Sequence, residues 1–112
     1  MAKQEYRLRC DLDSLLRAID KGILSGMSAS YEDGSSLEAD GVRCAVRVYE
    51  RYSAMGSNRV SLTVTAVEHS GGVFLSAITS GGSQAVLFKL NTIGENTFLK
   101  KLDDIVQGFA QT

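Results

Sequence analysis

Apolar and polar positions alternate with a period of two over several stretches of the chain, and clusters of Gly, Ser, Asn and Asp interrupt them. Residues 4–10 set Tyr6, Leu8 and Cys10 against Glu5, Arg7 and Arg9, the spacing of a strand with one wet face. Residues 42–52 divide similarly: Val42, Cys44, Val46 and Val48 form the side expected to be buried, and Arg43, Arg47, Tyr49 and Arg51 the side expected to meet water. Residues 59–68 turn Val60, Leu62, Val64 and Ala66 inward and Ser61, Thr63 and Thr65 outward, with the β-branched content of a strand. Residues 72–79 are apolar on both faces, Phe74 and Ile78 opposing Val73, Leu75 and Ala77, which suits a strand that is central or covered on its second side. A shorter strand is expected over 84–90. Turn signals at 32–35, 39–41, 56–58, 69–72 and 80–83 separate these segments, the punctuation of an antiparallel meander.

Two segments follow a helical period instead. Leu12, Leu15, Leu16, Ile19 and Ile23 make one stripe, with Asp11 or Asp13 placed to cap the first turn and Gly22 or Gly26 placed to end it, giving a helix near 11–25. Phe98, Leu102, Ile105, Val106 and Phe109 make a second stripe, and Thr92 with Glu95 has the spacing of a capping box, giving a helix near 93–110. A sheet with one apolar face and two helices with one stripe each bury their apolar surface together when both helices cover that face. The expected fold is α+β: an antiparallel meander sheet of about five or six strands with both helices on one face, in the order β-α-β(4–5)-α. Curling of the sheet around the last helix would make it a reduced helix-grip arrangement with a cavity beneath that helix.

Composition changes this picture little. The 112 residues suit one domain over 1–112, with 44% hydrophobic and 22% charged residues. A net charge of −1 and a pI near 5.8 provide no global attraction to nucleic acid or anionic membrane. With no apolar run long enough for a signal peptide or membrane span, a cytoplasmic location is expected. Cys10 and Cys44 lack the spacing of a disulfide framework or a zinc site, and no metal or other cofactor is expected.

Candidate chemistry is sparse. The double glycine in "SGGSQAVLFKL" lacks the lysine of a phosphate-binding loop and precedes a strand-like segment, so a hairpin turn is expected there. His69 is the only histidine and sits in a turn-like "HSGG" without a positioned partner. Asp103 and Asp104 read as a solvated helix face. The most distinctive polar group is Arg7, Arg9, Arg43, Arg47 and Arg51 with Tyr49, expected on the open sheet face, where it would take a small anion or an acidic partner; one exposed ring is too few for a nucleic-acid platform. With no nucleophile–base pair or cofactor motif to assemble, the expectation is a non-catalytic interaction domain, a homodimer or higher homo-oligomer, whose association depends on Arg47 and Tyr49. The alternative is an apolar-ligand protein whose cavity mouth carries Tyr6, Tyr31, Tyr49, Tyr52 or His69.

Gly81, Gly82, Ser83 and Gln84, then Phe88-Lys89, Asn91-Thr92, Gly94-Glu95 and Phe98-Leu99, resemble the C-terminal signature of a family of small bacterial proteins known only as a domain of unknown function. The resemblance lies mainly over 80–102, with a weaker match in length and element order. It implies a bacterial, cytoplasmic setting and assigns no activity or site.

Overall fold

The computed structural model describes residues 1–25, 28–52, 59–81 and 98–111. Five strands, β1 (Ala2–Leu8), β2 (Ala29–Ala39), β3 (Val42–Tyr52), β4 (Arg59–His69) and β5 (Gly72–Gly81), form one antiparallel sheet in the order β1-β5-β4-β3-β2. Helix α1 (Leu12–Leu24) links β1 to β2, so the chain crosses from one edge of the sheet to the other before β2 to β5 run back as a meander. A second helix, α2, is described over 98–106. The α+β class and the antiparallel meander follow the sequence pattern. The expected strand at 84–90, the turns at 56–58 and Gly82, the capping box at Thr92 and Glu95, and the early part of the second helix lie outside the described residues.

The beginning of α1 is set by chemistry local to its first turn. Asp11 has extended backbone, and its carboxylate accepts a 2.9 Å hydrogen bond from the Ser14 amide, one of the donors that a helix leaves unpaired. The helix buries Leu12, Leu15, Ile19 and Ile23 completely or nearly so. Gly22 does not end the helix, which continues to Leu24 with Ser25 as its C-cap. Gly22 instead admits α2: a Cβ there would fall 2.4 Å from Ile105 Cδ1. The two helices thus touch each other and share one sheet face. Beneath them lie Tyr6, Leu8, Ala45, Tyr49, Val60, Leu62, Val64, Ala66, Val73, Leu75 and Ala77, with Phe98, Leu99, Leu102 and Val106 from α2. Leu99 belongs to this core although it stands outside the expected stripe.

Two turns follow from their residue types. Asp40 and Gly41, both at positive φ, close β2 onto β3 in a two-residue hairpin whose twist suits the flanking strands. Ser70 and Gly71 connect β4 to β5, where His69 pairs with Gly72. The expected turn at 32–35 is instead part of β2, where the register shifts between Tyr31 and Asp33. The Asp-Gly pair there sits beside a bulge in an edge strand, and its glycine is paired with Arg47.

Gly72 and Gly41 give contrasting predictions. Gly72 has φ +135°, and a Cβ would lie 2.2 Å from the Leu8 carbonyl oxygen, a backbone atom that cannot step aside. At Gly41, φ is +79° and nothing lies within 4 Å. Gly72→Ala should therefore lower unfolding stability by about 2 kcal/mol or more, and Gly41→Ala by about 1 kcal/mol, from left-handed strain alone. Urea denaturation midpoints measure both; equal losses would show that contact with Leu8 is not the constraint at Gly72.

Candidate functional site

The phase of β3 is opposite to the one its valines suggest. Register pairs Ala45 with Ala66, Arg47 with Val64, Tyr49 with Leu62 and Arg51 with Val60, placing Arg43, Arg47, Tyr49 and Arg51 on the helix side of the sheet. Val42, Cys44, Val46 and Val48 consequently face outward. Tyr49 is 1% exposed, and its hydroxyl donates a 2.7 Å hydrogen bond to Asp20 of α1. Long arginine stems can flank such a core because they carry their charge to its rim. Arg43 donates to Asp13 of α1 at 2.8 Å and lies 3.5 Å from Glu68, while Arg51 lies over the Phe98 ring, 5.9 Å from its centroid. Arg47 donates to the carbonyls of Ser35 and Val46. Asp13 is held below the usual carboxylate range by its hydrogen bond from Arg43, and the Arg43 guanidinium is held above its own by the same bond.

The expected arginine cluster is therefore divided. Arg7 lies on the opposite face, its guanidinium 5.4 Å from the Phe74 centroid, and Arg9 follows β1 in a bend, its amide donating to the Ala110 carbonyl. The tyrosines and His69 do not converge on one mouth either. Tyr6 is buried beneath α2 and donates to Asp103 at 2.8 Å. Tyr31 packs edge-on against Tyr49 near the β2 edge. Tyr52 lies under Arg59 at one end of the β3–β4 hairpin, and His69 stands at the other end of β4. The His69 ring accepts the Gly71 amide through Nδ1, so it helps to form the turn.

Phe98, Leu102 and Val106 of α2 are completely buried and belong to the core shared with the sheet. Among the described residues, a cleft of about 330 Å³ lies beside α1, where Leu12, Leu16 and Ala45 meet Arg43 and Arg47, and another of about 320 Å³ lies beside α2, lined by Gln4, Leu99, Lys100 and Asp103. Cys10 and Cys44 are both half-buried rather than core residues. Burial, aided by Asp11 and Glu68, pushes the Cys10 thiol up, away from its reactive form.

The β3 residues that sequence reasoning assigned to the core lie on the other face of the sheet. There Phe74, Val67, Cys44 and Leu37 form a continuous row across β5, β4, β3 and β2, with Arg7 at its β1 end. Val46, Val48 and Ile78 extend the apolar surface, separated by Ser61, Thr63, Thr65 and Ser76. Leu37 and Val42, where β2 turns into β3, are 67% and 40% exposed. None of the described elements covers this face. The signal was present in the two-sided hydrophobicity of β5, whose Val73, Leu75 and Ala77 are buried under the helices while Phe74 and Ile78 lie on the other face.

The fold and this surface define a two-layer α+β domain with helices on one side of its sheet and a half-apolar face on the other. The chain belongs to the family of unknown function designated DUF6054, whose model matches residues 1–110. No curated protein and no solved structure matches it significantly.

Burial first, then the carboxylate each one meets, raises the phenol of Tyr6 and of Tyr49 well above the ordinary tyrosine value. A raised folded-state pKa means that the contribution to stability is complete below the unfolded value of about 10 and is lost as pH rises beyond it. Alkaline unfolding should begin above about pH 10. Tyr49→Phe should cost about 1 kcal/mol at neutral pH, because Asp20 loses its donor, yet make unfolding less steep in alkali. Circular dichroism against pH measures both; an unchanged alkaline slope would mean that Tyr49 does not titrate with unfolding.

Proposed function

We propose that this chain is a non-catalytic, self-associating interaction domain of the cytoplasm, and that the open sheet face is its contact surface. The observation that carries this reading is the apolar row from Phe74 to Leu37 on the face away from both helices. A contiguous apolar patch of this kind on a soluble domain commonly marks an interface. A second copy is favoured over edge-to-edge pairing. The β2 edge, unpaired among the described residues, carries a bulge and the charges of Glu32, Asp33 and Glu38, features that blunt strand addition. The outer edge of β1 is met by the chain itself, through the Arg9 amide to Ala110 and the pairing of Leu8 with Gln111. Support for a non-catalytic role comes from the chemistry of the reactive side chains. His69 is engaged in a turn, and the Cys10 thiol is held protonated.

Native mass spectrometry with light-scattering chromatography tests the proposal. Wild-type protein should be a homo-oligomer, and Phe74→Asp should shift it to monomer with at least a tenfold loss of association, because a carboxylate would be desolvated at the apolar row. Arg47→Ala should leave assembly unchanged, since that side chain lies on the helix side. Wild-type monomers, or oligomers insensitive to Phe74→Asp, would refute the open-face reading.

A further inference from the structure

The open face also carries a charge pattern, and, resting on the self-association reading, that pattern selects one way of stacking two copies. Three rows cross the sheet. The first runs Lys3, Ile78, Thr63, Val48, Asp33; the second Glu5, Ser76, Thr65, Val46, Ser35; the third Arg7, Phe74, Val67, Cys44, Leu37. Because β4 is the middle strand of five, it divides each row symmetrically. Lys3 and Asp33 therefore stand at equal distances from β4, in the same row, on opposite edges and with opposite charge. Both are exposed.

We propose that two protomers pack face to face about a two-fold axis parallel to the strands and centred on β4, so that Lys3 of each protomer meets Asp33 of the partner subunit. This axis preserves the rows and exchanges the edges. Phe74 then lies over the partner's Cys44 and Ile78 over the partner's Val48, a large group against a smaller one in each case. Thr63, Thr65 and Val67 meet their own copies at the centre, where their modest size permits sheets to approach to about 10 Å. Arg7 extends over the partner's Leu37, and Glu5 faces the partner's Ser35. An axis across the strands through the second row places Glu5 against the partner's Glu5 and Arg7 against the partner's Lys3. Like charges then meet at every charged position of β1, and Leu37 is set over the partner's Asp33. Charge complementarity selects the first axis.

Area and twist are consistent with that choice. Five strands at about 4.8 Å spacing and seven residues at about 3.3 Å give a footprint near 550 Å² on each protomer, enough for a specific interface of about 1,000 Å² in total. Aligned sheets cross at about 30°, which displaces the edge strands by about 5 Å, within the span of a lysine side chain. Lys3 lies 3.4 Å from Glu5 within its own strand. It exchanges or shares that partner on association.

The experiment uses two charge-reversed full chains and their mixture, read by native mass spectrometry across a dilution series. Lys3→Glu and Asp33→Lys each place two like-charged pairs in their own dimer, and each should associate about tenfold more weakly than wild type. Mixed together they should form a heterodimer of wild-type affinity, because both cross-pairs then carry opposite charges. The double variant Lys3→Glu/Asp33→Lys should also recover the wild-type dimer. If wild type dimerises and Phe74→Asp abolishes it, but the mixture yields no more heterodimer than statistical exchange, the proposed axis is wrong and the open face remains the interface. If wild type is monomeric or insensitive to Phe74→Asp, both proposals fall together.

Discussion

The hydrogen bond from Tyr49 to Asp20 ties the sheet to α1, and much of the molecule's surface depends on it. A buried phenol needs a partner for its hydroxyl, and Asp20 supplies one at the margin of the core. This contact belongs to the helix side, so β3 must present Tyr49 and Ala45 inward. Strand alternation then sends Val42, Cys44, Val46 and Val48 to the opposite face. Shifting β3 by one residue would reverse both sets, leaving the tyrosine ring in water and four arginine or aromatic positions exchanged for small apolar ones under the helices.

A second constraint is width. Two helices packed side by side span about 20 Å, whereas five strands span about 24 Å, so the helix layer leaves part of the sheet unroofed. The arginines of β3 lie along that margin. Their aliphatic stems continue the apolar surface, and their guanidiniums reach Asp13, backbone carbonyls or the Phe98 ring. Of what looks in sequence like a basic recognition strip, Arg43 and Arg51 thereby engage the helix layer. The same geometry leaves an opposite face whose apolar content exceeds what one layer of helices can use.

Much of the fold was legible. The stripe and Asp11 cap of α1, the alternation that sets the inward positions of β1 and β4, and the Asp40–Gly41 turn are each written within a few residues of one another. The candidate site was less legible. The misplaced β3 side chains, the 32–35 segment that remains strand, and the helix that continues through Gly22 share a cause. In each case a distant element settles a choice that local polarity leaves balanced: the register with β4, the register with β3, or the approach of Ile105.

By itself, the sequence determined the two amphipathic helices, the strands β1, β3, β4 and β5 and the packing of helices on a sheet, because periodicity and capping are local properties of the chain, whereas β2 spans residues 29–39, whose local signals read as turns. Only the tertiary structure decided which side of β3 is the inside. Alternation distinguishes two faces but does not say which one meets the helices, and arginine stems serve at a core margin as well as in water. The long-range contacts of Tyr49 with Asp20 and Arg43 with Asp13 resolve that ambiguity, and in doing so they turn the valine side of β3, rather than the arginine side, away from the helices.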